Sequence, residues 1–201
     1  MSIKTIIFDV DGVVFNSQDQ SGSYIWLQSI EQDLGITKSH LQILFSPEWE
    51  NVTKGQINLI DYLKDVFSST GFSRLNITPE KYIEYWLAKD NNLNHDMLEL
   101  VKSLKVPSYL GTNQEFHRTR HIGNLIGKYF SGIFPSYKIN YIKPDLEFFQ
   151  YIENSLKLTP QELLLIDDCP KNIKGAKNKG WHVYHYKDNL NDLQNYLEKY
   201  R

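Results

Sequence analysis

Asp9 and Asp11 are two carboxylates spaced two apart, followed by Gly12, at the end of the apolar run Ile6-Ile7-Phe8. Such a run reads as a buried parallel strand. In open α/β sheets ligands bind beyond the carboxyl ends of the strands, so acids emerging there are placed for reaction and not for packing. Taken alone, the Asp9-Val10-Asp11-Gly12 pattern also occurs in turns and calcium loops. Three further segments end in the same way. Strand-like residues 106–110 run into Gly111-Thr112-Asn113. Lys143 stands in Ile142-Lys143-Pro144-Asp145, ahead of a helical pattern that Pro144 can open, and Leu163-Leu164-Leu165-Ile166 stops at Asp167-Asp168. All carboxyl ends of a parallel sheet share one edge, so these groups can converge although more than a hundred residues separate them.

Four carboxylates and one lysine in a single pocket repel one another, since unit charges ~4 Å apart at an effective dielectric of ~20 interact by about 4 kcal/mol. A divalent cation resolves the conflict. The set offers oxygen ligands without a usable cysteine or histidine group, which points to Mg2+ bound through one or two carboxylates, waters and substrate phosphate. Metal and Lys143 together suit a dianionic ester. An in-line nucleophile, charge neutralisation on the equatorial oxygens and a proton donor are the parts that phosphoryl transfer needs.

The elements that must position these groups follow from periodicity. Phe15-Asn16-Ser17 is a polar break that could cap a helix beginning near Asp19. From there to about His95 the spacing is helical: Trp26, Leu27, Ile30 and Leu34 stopped by Gly35, then Leu41 to Phe45, then Ile60, Leu63 and Phe67, then a helix capped by Thr78 with Pro79 in its first turn. No strand interrupts this stretch, which reads as a small helical bundle inserted between the first strand and the second. After it, strand and helix alternate through 106–113, 132–135, 163–168 and 181–186, so an α/β protein with a parallel sheet and helices on both faces is expected.

The 201 residues accommodate a core of about 120 to 130 residues plus an insertion. A net charge of -2 gives no footprint for nucleic acid, and no apolar run approaches the roughly 20 residues of a membrane span. Met1-Ser2-Ile3-Lys4 leads directly into the first strand without signal-peptide features, and Cys169 is a lone cysteine; both point to the cytoplasm. Oligomeric state is not legible.

In order along the chain, Asp9-Val10-Asp11-Gly12, the strand-end Thr112, Lys143-Pro144-Asp145 and Asp167-Asp168-Cys169-Pro170-Lys171-Asn172 resemble the four motifs of the haloacid dehalogenase-like hydrolases. The local texture is most similar to sugar-phosphate phosphatases and the phosphatase domain of soluble epoxide hydrolases. The resemblance implies a Rossmann-like three-layer core from residues 1–15 and 96–201, with a mobile all-helical cap from residues 16–95. It implies Asp9 as nucleophile, forming an aspartyl-phosphate, and Asp11 as the acid that protonates the leaving group and later activates water. Members that displace halide lack the second aspartate, so Asp11 argues for phosphate chemistry. Thr112 would bind a phosphate oxygen with backbone amides near Gly12 and Asn113, and Lys143 would neutralise charge. Mg2+ would be held by Asp9, the Asp11 carbonyl and Asp168, with Asp167 as a water-mediated ligand or an orienter of Lys143. The expected activity is hydrolysis of a small phosphate monoester. A cap rich in Asn, Gln and Tyr suits a sugar phosphate.

Other readings are a phosphoglucomutase-like transferase, a signalling receiver domain and a phosphate-binding regulator without turnover. Receivers lack a helical insertion and order their motifs differently. His117 and His121 have zinc-ligand spacing, but Arg118 and Arg120 beside them make a solvated helix face the expectation. Trp26, Trp49 and Trp86 are expected to serve as core of the helical insertion more than as a substrate platform, Cys169 as packing, and His182 and His185 as structural flanks of a strand.

Overall fold

Ile6 and Phe8 face one side of a sheet and Ile7 the other, as the two-residue period of β1 (Thr5–Phe8) requires, and all three are fully buried. The computed structural model describes residues 2–19 and 23–201. Among them β1 is the central strand of a five-stranded sheet. The others are β2 (Ser108–Thr112), β3 (Ile133–Pro135), β4 (Leu163–Asp167) and β5 (His182–His185). The order is β3-β2-β1-β4-β5 and every pairing is parallel, with Phe8 in register with Leu110 on one side and Ile166 on the other. This is the expected α/β, Rossmann-like three-layer arrangement.

The helices of the insertion are α1 (Ile30–Leu34), α2 (Lys38–Leu44), α3 (Trp49–Thr53), α4 (Leu59–Ser68) and α5 (Pro79–Lys89). Those around the sheet are α6 (His95–Ser103), α7 (Phe116–Ile126), α8 (Ser136–Ile139), α9 (Leu146–Leu156), α10 (Pro170–Asn178) and α11 (Leu190–Leu197). One face of the sheet packs Phe8, Leu110 and Ile166 against Met97 and Val101 of α6, Ile122 of α7 and Leu193 of α11. The other packs Ile7 and Leu165 against Phe148, Phe149 and Ile152 of α9 and Ala176 of α10. Each such apolar side chain, once buried, contributes about 1.5–3 kcal/mol.

The insertion has its own apolar cluster, built from Trp26, Ile30, Leu44, Leu63, Phe72, Tyr82 and Trp86. Its two connections to the sheet run antiparallel: Asn16 donates its backbone N–H to Asn92 at 2.8 Å and Asn94 to Val14 at 2.9 Å, with Phe15 bridged to Leu93. The insertion also touches the core at α8, where Ser136 Oγ donates to the Thr53 carbonyl at 2.6 Å and Asn140 Nδ2 to that of Lys54 at 2.9 Å.

Two local expectations differ from the structure. Among the described residues no helix begins near Asp19: Ser17 bonds to Asp11, residues 20–22 lie outside the described residues, and the first helical turn described is Ile25–Leu27, of 3-10 type. β1 ends at Phe8, directly before the acids as expected, and the Val10 carbonyl then accepts the N–H groups of Val14 and Phe15 and turns the chain. Pro144 does not open α9; Asp145 occupies the position before its first residue, Leu146. The Thr78 cap is as expected, its hydroxyl accepting from the Lys81 N–H at 3.3 Å.

Candidate active site

Asp9, Thr112 and Asp167 stand at the carboxyl ends of β1, β2 and β4, which are neighbours in the sheet, so topology alone brings them to one edge. Lys143 reaches the same point from the loop before α9. Its buried Nζ lies 2.8 Å from Asp9 Oδ1 and 2.7 Å from Asp167 Oδ2. Asn113 fixes that loop from both sides: its Oδ1 accepts the Lys143 N–H at 2.7 Å and its Nδ2 donates to the Lys143 carbonyl at 2.9 Å. Asp167, fully buried, also accepts from Asn172 Nδ2 at 3.0 Å and the Cys169 N–H at 2.9 Å. It therefore serves Lys143 and the start of α10, whereas Asp168, half-buried, lines the cavity beside Asp9. His185 Nε2 donates to the Asp168 carbonyl at 2.9 Å, which ties β5 to the site.

Gly12 explains its own identity. Its φ is +72°, and a Cβ there would stand 2.2 Å from Asp168 Oδ2, so only glycine lets the Asp168 carboxylate approach this backbone.

Ligand oxygens of Asp9, Asp167 and Asp168 lie within 4.8 Å of one another. Burial, with Asp167 next door, pushes the Asp9 carboxyl well above its ordinary value against the pull of Lys143, and burial with Asp167 also raises Asp168. Burial opposes the charge on Lys143 too, but Asp167 and Asp9 hold it protonated well above the usual lysine range. Three carboxylates face one ammonium, so the donor set carries an uncompensated negative charge and consists of hard oxygens. That fits Mg2+.

Asp11 sits apart from this group, held by a residue that the sequence reading misplaced. Arg118 is not on a solvated helix face. It is buried, with Nη1 2.7 Å from Asp11 Oδ2, Nη2 2.6 Å from Asp11 Oδ1, and Nε bonded to Asp90. Ser17 Oγ at 2.5 Å and Gln114 Nε2 at 2.7 Å complete the shell of Asp11. Burial pushes Asp11 up, but the charge and hydrogen bonds of Arg118, with Ser17, hold it below the ordinary carboxylate value. Asp90, with a single bond from the shared guanidinium, is raised by burial. The available signal was positional: Arg118 lies in the first turn of α7, which starts at the carboxyl edge of β2 where Glu115 accepts the N–H groups of His117 and Arg118. His117 and His121 do not form a metal site with others among the described residues; His121 Nε2 lies 2.6 Å from Asn91 Oδ1.

Over these groups lies a cavity of about 610 Å³, roofed by the insertion. Trp26, Trp49 and Trp86 line it as well as belonging to or packing on the insertion's core, so packing and exposure to ligand coincide.

A family model described as haloacid dehalogenase-like hydrolase matches residues 3–180. A sesquiterpene phosphatase of Aspergillus oryzae is 26% identical over 192 residues, covering 94% of this chain and 92% of its own. A D-ribitol-5-phosphate phosphatase of Bacteroides thetaiotaomicron is 23% identical over 197 residues, covering 90% and 91%. Among solved structures, a haloacid dehalogenase family enzyme from Bacteroides thetaiotaomicron in complex with magnesium and inorganic phosphate has a TM-score of 0.79 at 18% identity, covering 96% of this chain and 99% of that one.

Proposed function

Because the chain belongs to the haloacid dehalogenase-like hydrolases, we propose that it is a magnesium-dependent phosphomonoester hydrolase acting through a phosphoryl group carried on Asp9. The observation that carries the reading is the Asp9 carboxylate, gripped by Lys143 at 2.8 Å within a cation-deficient set of acids and opening on a cavity. Asp9 Oδ1 takes both the Val10 N–H at 2.7 Å and Lys143, which supports Oδ2 as the attacking atom. Asp9, Asp168 and the Asp11 carbonyl would hold the metal, with Asp167 in the second role of fixing Lys143. Magnesium bound there would screen the carboxylates from the phosphate and polarise its oxygens. Lys143 balances charge on nucleophile and phosphoryl group; Thr112, with amides near Gly12 and Asn113, cradles the phosphate oxygens.

Asp11 handles the proton. In the resting geometry Arg118 favours its ionised form, which is the form that takes a proton from water and hydrolyses the acyl phosphate. To donate to the leaving alcohol it must first loosen from Arg118, which Asp90 can retain, and take up a proton from solvent.

The insertion, residues 16–95, acts as a cap whose two paired connections form the hinge. The names of the relatives support hydrolysis of a phosphorylated small alcohol over transfer to a second sugar position. No helix among the described residues is long and apolar enough to cross a membrane, and a lone cysteine suits the cytoplasm as the place of action. Hydrolysis of p-nitrophenyl phosphate that requires Mg2+, stops with chelator and is restored by added Mg2+ is the expected result. Activity indifferent to chelator would overturn it.

A further inference from the structure

We infer that the alcohol released by this enzyme is apolar, an alkyl, prenyl or aryl chain, and that the roof of the cavity selects it through Tyr24, Trp26, Leu27, Phe45, Trp49 and Trp86. This rests on the phosphatase reading above. The roof is a continuous aromatic surface: Trp26 and Trp86 rings are 5.6 Å apart, Trp49 and Trp86 6.2 Å, and Phe45 and Trp49 5.1 Å. Phe45 and Tyr24 are each 38% exposed, so large apolar faces stand open beside the phosphate end of the same cavity. Its volume, about 610 Å³, leaves room for a leaving group well beyond the phosphate.

The polar groups of the roof are few, and among the described residues each hydroxyl, amide and carboxylate already has a protein partner. Thr53 Oγ1 donates to the Trp49 carbonyl at 3.1 Å, Tyr24 and Gln18 bond each other, and Asp90 is held by Arg118. The indole N–H of Trp86 has no protein partner, but it is sealed from the surface. A polyol entering this space would shed water from several hydroxyls and find few partners, whereas a hydrocarbon would lose nothing. A cationic leaving group finds no unpaired carboxylate at the edge of the roof, because Asp11 and Asp90 are taken up by Arg118 and Glu115 accepts the N–H groups of His117 and Arg118.

The test compares kcat/KM, with saturating Mg2+, for ethyl, butyl and hexyl phosphate, ribitol 5-phosphate, and the matched pair phosphocholine and 3,3-dimethylbutyl phosphate. Each buried methylene is expected to raise kcat/KM about fourfold, and the neutral dimethylbutyl ester to exceed its cationic isostere. Binding gives a readout independent of turnover: alkylphosphonates should perturb intrinsic fluorescence, since three of the four tryptophans line the cavity, with Kd falling about fourfold per methylene. Phe45→Gln and Trp49→Gln should each flatten this chain-length dependence. A flat series with ribitol 5-phosphate or phosphocholine preferred would overturn the inference and leave the phosphatase reading standing. Failure to hydrolyse every ester would remove both.

Discussion

Arg118→Met removes a guanidinium that bridges two carboxylates from different parts of the molecule, Asp11 after β1 and Asp90 at the return of the insertion. Methionine keeps much of the volume and none of the charge. Breaking a buried ion pair by deleting one partner costs about 3–5 kcal/mol, because the remaining charge is left uncompensated. The Asp90 side chain is 5% exposed and the Asp11 side chain 21%, so water relieves part of the penalty at Asp11 and the lower end, about 3 kcal/mol, is expected at pH 7.5. For a domain of this size that lowers Tm by roughly 6–12 °C. The pH dependence has a definite sign. With Arg118 present, Asp11 is depressed, so its contribution exists above the ordinary carboxylate value and is lost as pH falls. Without it, burial is left to raise both carboxyls above their ordinary value, so they take up protons more readily than in the parent and the deficit of the variant relative to the parent shrinks as pH falls from 7.5 to 5. Urea denaturation at the two pH values measures this, and Asp90→Asn in the Arg118→Met background should recover part of the loss. A deficit below about 1 kcal/mol, independent of pH, would show that the guanidinium behaves as an exposed pair and would refute its role as a buried clamp.

Gly12→Ala places a Cβ 2.2 Å from Asp168 Oδ2 on a left-handed backbone that itself costs about 1–2 kcal/mol for an L-residue, so Asp168 must move. Mg2+ affinity, measured by titration calorimetry, should fall by about tenfold or more, and an unchanged Kd would contradict the placement of Asp168. At the far end of β1, Lys4 pairs with Glu162 at 2.5 Å, and Lys4 and Thr159 hold the Glu162 carboxyl down at about 2 against an ordinary 4.5. A depressed carboxyl stabilises above its unfolded value and loses that contribution as pH falls through its folded one. Glu162→Gln should therefore lower Tm at pH 7 with the difference vanishing between about pH 4.5 and 2; a difference that persists at pH 2 would point to packing instead.

The parallel sheet was legible because its strands are runs such as Leu163-Leu164-Leu165-Ile166, buried on both faces, and because each run near the site stops at residues with chemistry to do. Asp9, Thr112, Lys143 and Asp167 could be gathered from topology alone, since β1, β2 and β4 had to be neighbours for the runs to be useful. Arg118 was not legible in the same way. With His117 before it and Thr119-Arg120 after it, it reads as surface, and its burial depends on where Asp90 returns from an insertion whose docking no local pattern encodes. The tryptophans were ambiguous for a related reason: helical spacing says which side of a helix is apolar, not whether the neighbour on that side is protein or a cavity.

The most direct test of Asp9 as nucleophile is peptide mass spectrometry on enzyme acid-quenched during turnover of a phosphate monoester with Mg2+. A phosphoryl adduct on Asp9, absent when chelator is added and absent from Asp9→Asn together with its turnover, is the expected result. An adduct on another residue, or sustained hydrolysis by Asp9→Asn, would contradict it.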